Sequence, residues 1–232
     1  MIGGAGWYPA LNVPERKEQD AILLHIPMSN LRFREYYRRR LPHIQIAGST
    51  YFVTFRLKDS LPKDALEKLA EETVRIKKLP KDAADLGYRR WFGKFDDYLD
   101  QVMCGETFLK NEQIADSVAE AIHYRDGKVY DLIAFCIMPN HVHLVFMPLE
   151  KGKGIFYSLA EILQSLKRHT ARRSNLILGR SGAFWQDESY DHIVRNETEL
   201  ERIIKYVLNN PVKAGLIDDW SKWELSYCKY NL

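Results

Sequence analysis

Apolar and polar positions first fall into a regular pattern at residues 50–57, TYFVTFRL, where β-branched and aromatic side chains predict a strand ending at the turn-like DSLP. The period then changes. Residues 63–78, KDALEKLAEETVRIKK, carry Leu66, Leu69, Ala70 and Val74 at helical spacing until Pro80, so a helix is predicted there. Residues 85–100 mix Trp91, Phe92, Phe95, Tyr98 and Leu99 with charges, and 111–124 show the helical set Ile114, Val118, Ala121 and Ile122. Both should pack on a sheet. Residues 129–138, VYDLIAFCIM, and 141–147, HVHLVFM, read as strands separated only by Pro139 and Asn140, so they should pair as an antiparallel hairpin.

After Gly152 and Gly154 a helix is predicted over 155–174, with Leu159, Ile162, Leu163 and Leu166 inward and a basic cluster at its end. A turn at 179–182 leads into a short extended piece, FWQDESYDHIVRN. The last long helix is predicted over 197–210, its buried stripe being Leu200, Ile203, Ile204, Val207 and Leu208. Asn196 caps it, Glu199 completes a capping box, and Pro211 ends it. Residues 1–40, broken by Gly3, Gly4, Gly6, Pro9 and Pro14, fit no period and read as an N-terminal arm. The remainder divides into one domain at 41–220, with a helical segment at 63–125 inside it, and a C-terminal tail at 221–232.

Composition adds little beyond foldability: 46% of residues are hydrophobic and the formal charge is only +3, so no nucleic-acid partner is announced by the total. Local clusters say more. Arg38, Arg39 and Arg40 stand together, and Lys167, Arg168, His169, Arg172 and Arg173 crowd one helix end, where they serve either as a solvated face or as phosphate contacts. Cys104, Cys136 and Cys228 are too scattered for a disulfide framework or a zinc module. No apolar run approaches the roughly 20 residues that span a bilayer, so a soluble cytoplasmic protein with no membrane partner is expected.

Strand side chains alternate faces, so His141 and His143 point together and could grip one divalent cation, while Val142 faces the core. Two exposed histidines on a strand edge fit that spacing as well. Arg202, Tyr206 and Asn210 recur every four residues and share one helix face, although Tyr206 also suits a core edge and Asn210 a helix end. If the two elements meet, a cation held by His141, His143 and Asn210 would draw charge from a DNA phosphate and let Tyr206 attack it. Trp91, Trp185 and Tyr190 are candidates for stacking on unpaired bases, and His192 and Glu188 are polar neighbours of the same region.

RRRLPHI, TYFVTFRL, MPNHVHLVF, SLKRHTARRSN, FWQDESYDHIVRN and YVLNNPVKAGL occur in that order between about Arg38 and Gly215. The sequence thereby resembles the REP-associated tyrosine transposases, relatives of the IS200-like single-tyrosine HUH transposases. This resemblance implies an α+β fold, a ferredoxin-like antiparallel sheet flanked by helices, with the helical segment and the arm as additions. It makes 41–220 an HUH transposase-like catalytic domain in which His141 and His143 hold Mg2+ or Mn2+, Asn210 is the third ligand and Tyr206 the nucleophile. It also implies nicking and rejoining of single-stranded or hairpin DNA through a 5′-phosphotyrosine, in a nucleoid-associated protein. A domesticated hairpin-binding protein with little transposition activity is the alternative. Compact members work as dimers that can place one subunit's tyrosine beside the other's histidines, so a homodimer belongs to the same expectation.

Overall fold

The computed structural model describes residues 33–38, 42–101 and 105–230, with only the backbone described for 33–38, 42–45, 81, 82 and 85. The arm read over 1–40 lies outside the described residues except for 33–38, and Arg39, Arg40 and Cys104 lie outside them too. In chain order the elements are β1 (Phe33–Arg38), β2 (Pro42–Ile46), β3 (Tyr51–Arg56), α1 (Lys63–Ile76), α2 (Lys81–Asp100), α3 (Glu112–His123), β4 (Tyr130–Ile137) and β5 (His141–Pro148). They continue with β6 (Glu150–Gly152), β7 (Ile155–Phe156), α4 (Leu159–Ile177), β8 (Tyr190–Ile193), α5 (Glu197–Lys213) and β9 (Ser226–Cys228).

The central sheet has five strands in the order β8-β3-β5-β4-β9, every neighbouring pair antiparallel. With β9, the α1–α2 insertion and the β6–β7 hairpin set aside, β3-α3-β4-β5-α4-β8 is the split βαβ succession of a ferredoxin-like fold, as the family resemblance implied. Within 221–232, read as a tail, β9 adds an edge strand to β4.

Strand alternation divides the core in two. Val53, Phe55, Val142, Leu144 and Phe146 face Ile114, Val118, Ile122, Ile162 and Leu166 of α3 and α4. On the opposite face Phe52, Ala134, Cys136 and Val145 pack against Leu200, Ile203, Ile204, Val207 and Leu208 of α5. With both faces of β5 covered, its run of apolar residues and histidines is almost wholly buried. Helices α1 and α2, the insertion between β3 and α3, form a third cluster of their own from Leu61, Leu69, Ile76, Trp91, Phe95 and Leu99. No helix among the described residues is long and apolar enough to cross a membrane.

Three expectations about helix ends need correction. The helix read over 155–174 begins at Leu159, because Gly152, Lys153 and Gly154 all take positive φ and turn the chain so that Ile155 and Phe156 pair back on β6. The capping box forms here: Ser158 accepts from the Glu161 amide, and the Glu161 carboxylate accepts from the Ser158 amide. At α5, Asn196 does accept from the Glu199 amide, but the Glu199 carboxylate accepts from the Arg195 amide and lies beside His192 instead of returning to Asn196. Pro211 does not stop α5 either. The helix runs to Lys213, because proline forfeits a single amide donor and the following turn is tied back by Ala214 N to Asn210 O and Leu216 N to Pro211 O, both 2.9 Å.

Ser158→Ala should lower stability by about 0.5–2 kcal/mol, readable as a shifted midpoint in urea, since it leaves the Glu161 amide without its acceptor. An unchanged midpoint would assign the cap no energetic role.

Candidate metal and nucleophile site

In the sheet register His143 stands opposite Thr54 of β3 and Cys136 of β4, and His141 stands opposite Arg56. All share the face covered by α5, whereas Val142 enters the opposite core cluster, as the alternation required. Both histidines are wholly buried, not strand-edge residues.

Each imidazole is oriented by its second nitrogen. His143 Nδ1 lies 2.8 Å from Thr54 Oγ1, and His141 Nδ1 lies 2.7 Å from Asn140 Oδ1, while Asn140 Nδ2 donates to Leu99 O. The two Nε2 atoms consequently face one another at 3.0 Å. This is the arrangement in which the outer nitrogens fix ring orientation and the inner ones are left for a cation.

The third member is Asp96 of α2. Its Oδ1 lies 3.3 Å from His143 Nε2, and one ligand atom from each of Asp96, His141 and His143 falls within 4.8 Å of the others. Asp96, Phe92, Phe95 and Leu99 lie on the side of α2 turned to the protein. A carboxylate in a helix's apolar stripe was the available sequence signal, and it was obscured by the neighbouring acids Asp97 and Asp100.

Electrostatics follow the burial. Desolvation pushes the His141 pKa well below its ordinary value, helped by His143, which keeps the imidazole neutral and competent as a ligand. Burial opposes ionisation of Asp96, but the His143 imidazole beside it outweighs this and holds the carboxyl well below the usual range. Lys213 donates to Asp96 Oδ2 at 3.0 Å and lies 2.9 Å from both Asp97 Oδ1 and Asp100 Oδ2, gathering these acids of α2 onto the end of α5. Asp100 is pushed up to about 6 by burial and the neighbouring Asp96 charge.

Tyr206 joins the cluster from α5, its ring centroid 5.6 Å from that of His143. Its hydroxyl faces the Asp96 carboxylate but satisfies no hydrogen bond of ordinary geometry. Burial first, and the Asp96 charge second, raise its pKa far above the usual phenol value, so the phenol is protonated at neutral pH. One turn on, Asn210 is buried; its Nδ2 lies 3.5 Å from Asp96 Oδ2 and its Oδ1 has no partner. Two imidazole nitrogens and a carboxylate oxygen within 4.8 Å of one another, with the buried Asn210 amide beside the carboxylate, suit a hard or borderline divalent ion.

Other residues singled out from the sequence lie apart from this cluster. Arg168 and Arg172 are exposed on α4, and Arg173 is exposed beside Glu120 at 4.0 Å. Lys167 is a correction: it is half-buried, and its ammonium donates to Gln186 O, Asp187 O and Ser189 Oγ, pinning the loop before β8 to α4. Arg38 lies on β1. Trp91 and Trp185 are core residues: the Trp91 indole donates to Leu69 O and the Trp185 indole to Thr170 Oγ1. Both are thereby removed from the set that could stack on bases.

Residues 103–210 match the family model described as "Transposase IS200 like". The chain is 24% identical over 102 residues to a protein of Haemophilus influenzae described as a REP-associated tyrosine transposase, a match covering 42% of this chain and 58% of that protein. It is also 24% identical over 105 residues to the REP-associated tyrosine transposase of Escherichia coli, covering 45% of this chain and 58% of that one. The match thus spans under two thirds of either relative. A solved REP-associated tyrosine transposase bound to a REP hairpin aligns with a TM-score of 0.46 and 16% identity, over 83% of this chain and 81% of that one.

Proposed function

We propose, from the premise that residues 103–210 match the IS200-like transposases, that this protein nicks and rejoins one strand of single-stranded or hairpin DNA through a covalent tyrosine link. The observation carrying the reading is the convergence of Tyr206, His141, His143 and Asp96 from α5, β5 and α2 of one chain. No second subunit is needed to complete that set. The likeness to REP-associated tyrosine transposases supports DNA as the substrate, and Arg168, Arg172 and Arg173 suit contacts with its phosphates.

His141, His143 and Asp96 would hold the cation, Mg2+ or Mn2+, and the unpartnered oxygen of Asn210, whose Nδ2 lies 3.5 Å from Asp96 Oδ2, would be a further donor. Positive charge bound by these residues would stabilise the negative charge of a phosphate and would offset the Asp96 charge that opposes ionisation of Tyr206. Tyr206 Oη attacks phosphorus, the bond to the 3′ oxygen breaks, and a 5′-phosphotyrosine and a free 3′ hydroxyl result. The phenol loses one proton and the leaving oxygen gains one. Thr54 and Asn140 hold both imidazoles in place throughout. Because the link preserves the phosphodiester energy, the reverse attack by a 3′ hydroxyl rejoins the strand without a nucleotide cofactor. Such work places the protein on the chromosome, in the cytoplasm.

A specific observation favours a second reading, a hairpin-binding protein without cleavage: His141, His143 and Asp96 are all fully enclosed. The two readings separate on incubation with labelled hairpin oligonucleotides and Mg2+ or Mn2+. A DNA complex that survives denaturation, and that does not form in EDTA, is expected. Binding with no such complex in either metal would select the second reading.

A further inference from the structure

Beside the metal cluster, and sharing Tyr206 with it, lies a cavity of about 300 Å³. Phe52, Phe92, Tyr190 and Tyr206 contribute its aromatic wall, and Arg89 and Arg202 stand among its lining residues. The aromatics are mutually braced: Phe92 stacks on Tyr190 at 4.0 Å, and Tyr206 meets Phe52 edge-on at 6.0 Å. A rigid aromatic wall offers a planar ligand a stacking surface at little entropic cost.

The polar groups are as specific. Buried Glu199 stands between His192 Nε2 at 3.1 Å, Arg202 Nη2 at 3.4 Å and Arg89 Nη2 at 3.7 Å. Two guanidiniums thus share one carboxylate at long range, and both keep substantial solvent access, at 42% for Arg89 and 69% for Arg202. One net positive charge is left for an anion, and a guanidinium fork matches a phosphate.

We infer that this cavity binds a single unpaired nucleotide of the DNA strand, its base against the aromatic wall and its phosphate on Arg89 and Arg202, next to the nucleophile. The inference rests on the strand-cleavage reading and specifies which part of the strand is gripped. A volume of about 300 Å³ is at the small end of ligand sites, and so accommodates one base but not a run of them. Arg89 and Phe92 come from α2, so the insertion that supplies Asp96 also builds this wall. The contact would be tolerant of sequence, because every base has a π face.

The test uses the full chain in EDTA, where cleavage does not intervene, titrated calorimetrically with oligodeoxyadenylate and oligodeoxycytidylate trimers and with an abasic trimer of equal charge. Both base-bearing trimers should bind, the abasic one at least tenfold more weakly. Arg202→Gln, at an exposed position that leaves folding intact, should weaken the base-bearing trimers at least tenfold. No trimer binding, equal binding of the abasic trimer, or wild-type affinity in Arg202→Gln would each overturn the inference. Failure of the cleavage reading looks different: trimers bind as expected, yet hairpins with metal give no covalent complex.

Discussion

Tyr206→Phe should form no detectable covalent complex with hairpin DNA, the rate falling by a factor on the order of 10³ or more, as expected when a nucleophile is removed. The fold should not register the change. The hydroxyl is buried and makes no hydrogen bond of ordinary geometry, so deleting it costs no net bond and stability should stay within about 1 kcal/mol or rise. The ring, which packs edge-on against Phe52 and beside His143, is retained. Hairpin affinity should therefore stay within a few-fold. The measurements are a denaturing gel for the complex, a urea melt for stability and a gel shift for affinity. A Tyr206→Phe protein that still attached DNA at the wild-type rate would end the assignment of this residue as nucleophile.

The second large effect is expected at Asp96. Asp96→Asn keeps the volume of the side chain but removes the charge that lies 3.3 Å from His143 Nε2. Loss of a mere outer partner of a metal ligand costs about 10–100-fold in affinity, so a direct ligand should cost about 100-fold or more. Mn2+ binding followed by electron paramagnetic resonance reads this without reference to activity. Lys213 keeps Asp97 and Asp100, so the α2–α5 connection survives the change. Mn2+ affinity within a few-fold of wild type would remove Asp96 from the ligand set and leave Asn210 as the oxygen donor expected from the family pattern.

Enclosure of the site constrains how any ligand reaches it. Helix α2 lies across the face of the sheet that carries the histidines, with Phe92 against Phe52 and Tyr206 and Asp96 beside His143. A phosphate cannot contact buried nitrogens without displacing something, and α1 with α2 is the layer having a core cluster of its own. The same insertion therefore supplies Asp96, part of the aromatic wall of the cavity and the cover of the site.

The division between sequence and tertiary structure is clearest in single residues. That His141 and His143 share a face, and that Tyr206 and Asn210 share another, follows from periods of 2 and 3.6, because a local backbone repeat settles which way neighbouring side chains point. The order of strands and helices between β3 and β8 was legible for the same reason. What periodicity does not contain is distance between elements. Asp96 lies 45 residues before His141 by numbering, in a stretch that mixes aromatics with charges, and only the packing of α2 over the sheet encloses Asp96 while leaving the adjacent Asp97 exposed. Lys167 made the converse point: its helix position suggested a free cation, and a loop from elsewhere in the chain took its donors. Burial also decides the protonation of the phenol, since desolvation and a nearby carboxylate are properties of the folded assembly. The chain's local order determined which groups are presented together on an element; long-range packing, which brings remote carboxylates, rings and carbonyls within bonding distance, decided what those groups face.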